Sequence, residues 1–494
     1  MLRAPYLKRA HIAPILLITL LSLLIGPAPA LAEPQQQPST IDFFGLNTYI
    51  TGLERIANDG DDGIATLTAR GRAAGAAWAR EELSWANIEP GRKGNWNFDY
   101  MDRRIGQLAD AGYGIVGMLL TTPEWARVRD CARRAAEART ETYWCPPASP
   151  RDFADFAWTI VERYDGDGFM DAPGSPRIAA WQIWNEPSAP LTWPGTPAEY
   201  GAMLVEAYKA MKAADNSAIV TLGGVYIFDG LGTDPTDGLP FYSHMIAAVP
   251  ESLHTWDALP IHPYMTSAAP DAPGIHATIT VWGRILTAQR WLQQHVGNNG
   301  VRPLWISELG WFTCRCGQVD CPPSSVRDES TAATYMVRAH AIALSLGVQH
   351  VSYFQLEDKF DGEWGHACED AAAMLGTKAE GYREKPVFQA YRTMTEQLAG
   401  ASFAGYGSAH RYRLNPNDQN YSGLYHLRFR AAGGAWVDVL WRTVGSQQVV
   451  LAREPGTQAE IISRDGERTQ VSTPRITLTV GEEPVYVWQG PPRS

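Results

Sequence analysis

Two glutamates stand out because each of them ends an apolar run. Glu186 follows Trp181–Trp184 and Asn185, and Glu308 follows Leu304–Ser307. Two facing carboxyl groups about 5–5.5 Å apart can cleave a glycosidic bond with retention, one as acid and the other as nucleophile. The two environments must then differ, so that one pKa rises and the other stays low. Taken singly, each glutamate could equally be a surface or loop carboxylate.

Arg80 is a polar residue inside a further apolar run, with Trp78 on one side and Trp85 beyond it. A buried arginine needs a carboxylate partner, and Glu308 beside it would keep a low pKa. The alternative is a solvated arginine that pairs with its neighbours Glu81 or Glu82, since exposed pairs of this kind are common. Both interpretations remain open from the sequence.

Three more polar residues lie next to apolar runs. Asn185 directly precedes Glu186, where it could bind the sugar hydroxyl beside the reacting carbon. His262 and Tyr264 end another run; the tyrosine could donate to the nucleophile, and the histidine could bind a substrate hydroxyl. For His262 the alternative is a satisfied core histidine without any role in chemistry.

Eight short apolar runs alternate with helical patterns, which predicts strand–helix units and a parallel sheet. The clearest helix is 328–346, which has apolar residues at a helical period and stops at Gly347. Eight such pairs in one run predict a closed (β/α)8 TIM barrel, whose active site lies at the C-terminal ends of its strands. The predicted strands are 43–47, 77–82, 114–120, 179–184, 219–224, 257–262, 303–308 and 350–356.

After residue 399 the pattern changes to alternating apolar and polar residues with hairpin signals at Gly433–Gly434 and Asp465–Gly466. We therefore predict an α/β fold in which the barrel is followed by a small all-β, sandwich-like C-terminal domain that packs directly on it. The predicted boundaries are 1–32 for a signal peptide, 33–399 for the barrel and 400–494 for the β domain.

Residues 1–32 have the composition of a secretory signal. Basic residues precede the apolar run 12–25, and Ala30–Ala32 is a small-x-small cleavage site. We expect a secreted or periplasmic protein without a membrane anchor after cleavage; an uncleaved N-terminal anchor is the alternative. The formal charge of −11 argues against nucleic acid or an anionic membrane as partner.

Export favours disulfide bonds between the six cysteines. A bond between Cys131 and Cys145 would close a short loop and is therefore favoured. Cys314, Cys316 and Cys321 are then left to pair among themselves and with Cys368. A zinc site in that cluster is the alternative.

The stretch Asp165–Gly168 resembles the start of a calcium loop, but Phe169 stands at the next ligand position. A solvated turn is therefore predicted there. We expect neither a metal nor a cofactor in this protein.

Four motifs follow one another along the chain: Arg80 with Trp85–Pro90, Trp184–Pro187, Ile261–Tyr264 and Ser307–Trp311. In this order they resemble motifs of the clan A glycoside hydrolases, and within that clan the chain is most similar to family 39. This family includes β-xylosidases, α-L-iduronidases and bacterial exopolysaccharide hydrolases. The resemblance covers about residues 41–396.

The resemblance implies a retaining glycosidase with Glu186 as acid/base and Glu308 as nucleophile. It also implies a supporting shell, formed by Asn185, Arg80, His262 and Tyr264. Many members carry a tryptophan on the eighth strand under the reacting sugar, whereas this chain has Tyr353-Phe354-Gln355. We expect Phe354 or Trp364 to take that place.

Three tryptophans follow strand ends and are candidates for stacking on a carbohydrate substrate: Trp125, Trp193 and Trp311. Each could equally anchor a loop. Two other functions use the same fold: a transglycosylase with the same two acids, and a carbohydrate-binding barrel that has lost activity. The sugar, the linkage and the oligomeric state do not follow from the sequence.

Overall fold

The computed structural model describes residues 42–227, 237–265, 268–272, 280–297, 302–313, 326–358, 371–410 and 423–491. The predicted signal peptide 1–32 lies outside these residues, as do Trp364 and the four cysteines from Cys314 to Cys368. Residues 39–494 form one compact unit. Within the described ranges, no helix combines the length and the apolar character that crossing a bilayer requires.

A parallel sheet forms the centre of the first 400 residues. Its order is β5-β4-β3-β2-β1-β9-β8-β7-β6. The edge strands β5 and β6 are consecutive segments of one strand, and the parallel bridge Thr221–Ala258 ties β5 to the start of β7. The sheet therefore closes into the eight-membered barrel that the sequence predicts. Its strands are β1 Phe44–Asn47, β2 Trp78–Ser84, β3 Gly114–Leu120, β4 Ala180–Ile183, β5 Ile219–Thr221, β6 Val225–Tyr226, β7 Leu259–His262, β8 Leu304–Leu309 and β9 His350–Tyr353.

Helices connect successive strands, as parallel neighbours require. They are α1 Leu53–Ala73, α2 Trp85–Ile88, α3 Asp99–Asp110, α4 Cys131–Ala138, α5 Pro150–Arg163, α6 Pro197–Ala214, α7 Gly238–Ala248, α8 Val281–Val296, α9 Glu329–Ser345 and α10 Pro386–Leu398.

The predicted helix 328–346 is α9, and its ends have the expected causes. The Asp328 carboxylate caps its N-terminus by accepting from the amide of Thr331. After its C-terminus, Gly347 takes a positive φ of 74°.

Large and small side chains alternate inside the barrel, close to the N-terminal ends of the strands. Trp78 and Trp305 pack there with Val116, Ala180 and Ala258. Gly114 is needed in this layer because a Cβ at that position would collide with the indole of Trp78. This packed floor leaves the C-terminal end of the barrel as the place where polar side chains can converge.

The C-terminal strands form two antiparallel sheets, in the order β10-β11-β12-β17-β14-β15 and β13-β16. Apolar side chains of both sheets, including Leu440 and Leu478, share one core, so the unit is the predicted sandwich. The strands are β10 Ser402–Tyr406, β11 Leu424–Arg430, β12 Trp436–Arg442, β13 Gln447–Ala452, β14 Gln458–Ile462, β15 Arg468–Val471, β16 Arg475–Val480 and β17 Val485–Gly490.

The sandwich packs directly on the barrel, as predicted. Arg338 of α9 is fully buried and binds Asp271 at 3.1 Å, and it also donates to the carbonyl of Arg442 at the end of β12. Asp271 in turn accepts from the indole of Trp441 at 2.6 Å. The boundary at 399/400 stays a prediction; α10 ends at Leu398 and β10 begins at Ser402.

One predicted disulfide is confirmed. Cys131 at the start of α4 is bonded to Cys145, with their Cα atoms 5.7 Å apart. The bond closes the loop that follows β3.

Candidate active site

The backbone makes a tight turn where β4 ends. Trp184 and Glu186 both have positive φ angles, 69° and 46°, a conformation that side chains with a Cβ rarely adopt. The amide of Glu186 donates to the carbonyl of Gly224 at 2.9 Å, and Asn185 forms a parallel bridge with the same glycine. The turn is therefore fixed to the neighbouring strand, and backbone strain held in this way is typical of functional sites.

Glu308 lies near the end of β8, across the barrel from Glu186. Carboxylate oxygens of the two glutamates and a ring nitrogen of His262 all lie within 4.8 Å of one another. Both glutamates are buried, with only 8% and 6% of their surface exposed. An oxygen–oxygen distance of 4.8 Å or less is compatible with the spacing of a retaining pair, about 5–5.5 Å between the carboxyl groups, and is shorter than that of an inverting pair, about 6.5–9.5 Å.

Two hydrogen-bond donors hold the carboxylate of Glu308. Arg80 donates to Oε1 at 2.8 Å and Tyr264 donates to Oε2 at 3.0 Å, while Nδ1 of His262 lies 3.6 Å from Oε2. Burial raises the pKa of this carboxyl, but His262, Arg80 and the tyrosine hydroxyl together bring the pKa below its ordinary value. Glu308 is thus held in its ionised form.

Arg80 is 1% exposed, and its guanidinium group connects four strands. Besides Glu308, it donates to Asn47 at 2.6 Å, to Gln182 at 3.0 Å and to Asn185 at 2.8 Å. The predicted ion pair with Glu308 is present. The alternative partner Glu81 instead accepts hydrogen bonds from the loop after β1. This follows from the strand geometry, because successive side chains point to opposite faces.

Glu186 has different surroundings. Its Oε1 lies 2.5 Å from Nδ1 of His262, whose Nε2 lies 2.9 Å from the hydroxyl of Ser307. Burial raises the pKa of Glu186 most; Glu308 raises it further, while His262 and Arg80 oppose the rise. The pKa values of the two glutamates are therefore displaced in opposite directions. His262 is fully buried and has partners at both ring nitrogens, and one of those partners belongs to the site.

No family model and no curated protein sequence matches the chain. Its fold matches a family 39 glycoside hydrolase from the gut symbiont Bacteroides cellulosilyticus WH2, with a TM-score of 0.63 at 16% identity, over 86% of this chain and 77% of the other. A monomeric β-xylosidase from Caulobacter crescentus CB15 gives a TM-score of 0.58 at 16% identity, covering 92% and 97%.

The family 51 α-L-arabinofuranosidase AbfB from Bifidobacterium longum also has a TM-score of 0.58, at 13% identity over 91% and 95% of the two chains. These structural neighbours are clan A glycoside hydrolases, as the sequence motifs predict. At such low identities the likeness confirms the fold.

Two of the three candidate tryptophans are buried. Trp193 is 2% exposed and Trp311 is 0% exposed, and each indole donates to a main-chain carbonyl. In this conformation both rings anchor loops and present no free face to a sugar. Trp125 is half-buried, with its indole donating to the carbonyl of Glu89. It stays the candidate for sugar contact.

Several site residues were not predicted. Asn47, Gln182 and Ser307 are polar residues within otherwise apolar strands, and each contacts Arg80 or His262. The sequence feature that could have identified them is the one that identified Arg80, namely a polar residue within a run of apolar residues.

Directly after β9, the eighth strand of the barrel, Phe354 is 7% exposed and packs edge-on against Tyr49 and Tyr264. Since Tyr264 binds Glu308, this ring lies beside the nucleophile candidate. Whether Phe354 or Trp364 takes the place of the tryptophan of many clan members stays a prediction, since Trp364 lies outside the described residues.

Proposed function

We propose that this protein hydrolyses O-glycosidic bonds of a poly- or oligosaccharide by double displacement, with retention of configuration. Glu308 is the nucleophile and Glu186 the acid/base. One observation carries the proposal: two buried carboxylates have oxygens within 4.8 Å of one another, and their pKa values are displaced in opposite directions.

In the first step the ionised Glu308 attacks the anomeric carbon while the protonated Glu186 gives its proton to the leaving oxygen. This forms a glycosyl ester on Glu308 and releases the leaving sugar. In the second step Glu186 takes a proton from water, and that water displaces Glu308 from the same anomeric carbon. Two inversions at one carbon give net retention.

Four residues support these steps. Arg80 and Tyr264 stabilise the charge of Glu308 before attack and after its release. Asn185, held by Arg80, is positioned to bind the hydroxyl beside the reacting carbon. His262 positions the carboxyl of Glu186 through a contact of 2.5 Å.

A panel of aryl glycosides tests the activity directly. Two of the structural neighbours are a β-xylosidase and an α-L-arabinofuranosidase, so xylosides and arabinofuranosides should come first. We expect turnover of at least one glycoside, with a product whose initial anomeric configuration equals that of the substrate by NMR. An inverted product would refute the double displacement.

Two variants test the roles. Glu308→Gln should abolish turnover of every substrate, whereas Glu186→Ala should keep the first step on glycosides with activated leaving groups. Glu137→Gln is a matched control, because Glu137 is exposed and pairs with Arg133 on the surface of α4. If both active-site variants behave alike on an activated substrate, the assigned roles are wrong.

The same panel separates the alternatives. A transglycosylase would transfer the glycosyl group to an added sugar in preference to water. A carbohydrate-binding barrel would bind a sugar tightly without turnover.

We further propose that the protein is exported after removal of residues 1–32. The Cys131–Cys145 disulfide supports an oxidising compartment. The mass of the mature protein, recovered outside the cytoplasm, tests this proposal.

A further inference from the structure

The segment that follows β7 contacts the candidate active site at one end and the C-terminal sandwich at the other. Near its start, the hydroxyl of Tyr264 donates to Oε2 of Glu308 at 3.0 Å. Further along the same segment, Asp271 is 1% exposed. Its Oδ2 accepts from the indole of Trp441 on β12 at 2.6 Å, and its Oδ1 pairs with Arg338 of α9 at 3.1 Å.

The contact between Asp271 and the sandwich is fully buried. The side chains of Asp271 and Arg338 are both 0% exposed. The guanidinium of Arg338 also donates to two main-chain carbonyls of the sandwich, that of Arg442 at 2.9 Å and that of Glu482 at 3.0 Å. A buried ion pair adds little net stability compared with apolar packing, but its hydrogen bonds fix how the partners are oriented.

Hydrogen bonds also hold the part of this segment that lies between Tyr264 and Asp271. The amide of Ala268 donates to the carbonyl of Met265 at 3.2 Å, and the carbonyl of Ala268 accepts from the indole of Trp311 at 3.0 Å. The carbonyl of Pro270 accepts from the amide of Val281, at the start of α8, at 3.0 Å. A shift of Asp271 would therefore move main chain that is hydrogen-bonded to the residue directly after Tyr264.

Arg338 supports the second catalytic segment as well, through an aromatic contact. Its guanidinium lies 5.9 Å from the ring centre of Tyr335, which is on the same helix. The ring of Tyr335 packs against Trp311, with their centres 5.7 Å apart. Trp311 follows the end of β8, the strand that carries Glu308, so one buried arginine contacts the surroundings of both segments.

We propose that the C-terminal sandwich takes part in the reaction by holding Tyr264 against Glu308, with Asp271 as the positioning residue. Asp271 acts through Tyr264 and not on the substrate. Active sites depend on such support, because a catalytic geometry is kept only when the side chains that form it are themselves fixed. The inference rests on the proposed function, since Tyr264 has this role only if Glu308 is the nucleophile.

The variants Asp271→Asn and Trp441→Phe, made in the full chain, test the contact from its two sides. Asparagine removes the charge that pairs with Arg338. Phenylalanine removes the indole N–H but keeps a ring that can stack on Tyr425, whose centre lies 4.3 Å from that of Trp441. Neither change alters a residue that contacts Glu308.

Both variants should move the acid limb of kcat/KM to higher pH. The hydrogen bond from Tyr264 lowers the pKa of Glu308, so a loosened Tyr264 lets that pKa rise. Arg80 and His262 keep their contacts with Glu308, so we expect a rise of about 0.5–1 pH unit for Asp271→Asn and less for Trp441→Phe. At low pH this is a loss of about 3- to 10-fold in kcat/KM, carried by kcat with KM nearly unchanged.

Arg464→Met is a matched control, because it removes another buried arginine between the sandwich and α9. Arg464 is 5% exposed and donates to the carbonyl of Ser330 and the hydroxyl of Thr334, both at 2.8 Å. Neither partner belongs to the segment after β7. This variant should lower Tm, as Asp271→Asn does, and it should leave the pH profile in place.

Hydrogen–deuterium exchange adds a measurement that does not need turnover. The amides of residues 268–272 should exchange faster in Asp271→Asn and Trp441→Phe than in the wild type and in Arg464→Met, because local opening becomes easier where the contact is lost. If Asp271→Asn does not fold, Trp441→Phe decides the same points.

Three results would overturn the inference: unchanged exchange at 268–272, a pH profile that stays in place in a folded and active variant, or the same shift of the acid limb in Arg464→Met. A wild type that turns over no glycoside would instead overturn the proposed function. In that case the exchange measurement still decides whether the sandwich holds the segment.

Discussion

Replacement of Arg80 by methionine should move the acid side of the pH–activity profile to higher pH. In the proposed mechanism Glu308 attacks only when ionised, so its pKa would set the acid limb of kcat/KM. Arg80 lowers that pKa, and its removal therefore raises it. At any pH below the pKa of Glu308 in the wild type and in the variant, a smaller fraction of the variant is active.

The size of the shift follows from the burial of the pair. The two side chains are 1% and 7% exposed, and their closest N–O distance is 2.8 Å. An adjacent arginine lowers the pKa of a carboxyl by about 1–3 units. Because His262 and Tyr264 still hold Glu308, we expect the acid limb to rise by about 1–2 pH units, a 10- to 100-fold loss of kcat/KM at low pH.

The assay is kcat/KM on an activated aryl glycoside across the pH range, with wild type, Arg80→Met and Arg80→Lys compared. The lysine variant keeps the charge but loses the fork that reaches Asn47 and Gln182, so its shift should be smaller. Removing one partner of a buried ion pair costs about 3–5 kcal/mol of stability. Far-UV circular dichroism must therefore show that each variant is folded.

Arg104→Met is a matched control, because Arg104 is 2% exposed and lies on α3 away from the site. It should lower stability and leave the pH profile unchanged. An acid limb that stays in place in folded Arg80→Met would refute the reasoning, since the arginine would then serve packing alone.

Three further outcomes are expected. Tyr264→Phe should reduce kcat/KM by about 10- to 100-fold, because a hydrogen bond to a charged group contributes about 1.5–3 kcal/mol; a KM change alone would contradict the role at Glu308. Trp311→Ala should cost about 3–5 kcal/mol in urea unfolding with KM unchanged, because the ring is fully buried. Replacing both Cys131 and Cys145 by alanine should cost about 3 kcal/mol in the same assay, given the short loop they close.

Most barrel strands could be predicted because their residues are apolar on both faces and helical patterns separate them. The fifth strand was the exception, since the predicted 219–224 is interrupted after Thr221 and resumes at Val225. The physical reason is close approach: a Cβ at Gly224 would collide with the ring of His262, and one at Gly223 with Pro187. Such contacts between distant parts of the chain leave no local pattern.

The features of the candidate site also divide into those that the sequence predicts and those that it does not. The ion pair of Arg80 with Glu308 could be predicted, because an arginine within a buried strand needs a carboxylate partner. The burial of Trp193 and Trp311 could not, because a tryptophan after a strand end looks the same in sequence whether its loop folds inward or outward.

The opposite displacements of the pKa values of the two glutamates arise from the closed barrel and not from either local sequence. Glu308 receives hydrogen bonds from β2 and from the segment after β7, through Arg80 and Tyr264. Glu186 has His262 as its hydrogen-bond partner and has Glu308 close by. Both side chains are glutamates, so the side chain itself cannot explain why one pKa rises and the other falls. The direction of each displacement is set by the strands whose residues contact that glutamate. Replacing one of these hydrogen-bond partners should therefore change which glutamate is ionised and which is protonated, even though both glutamates remain.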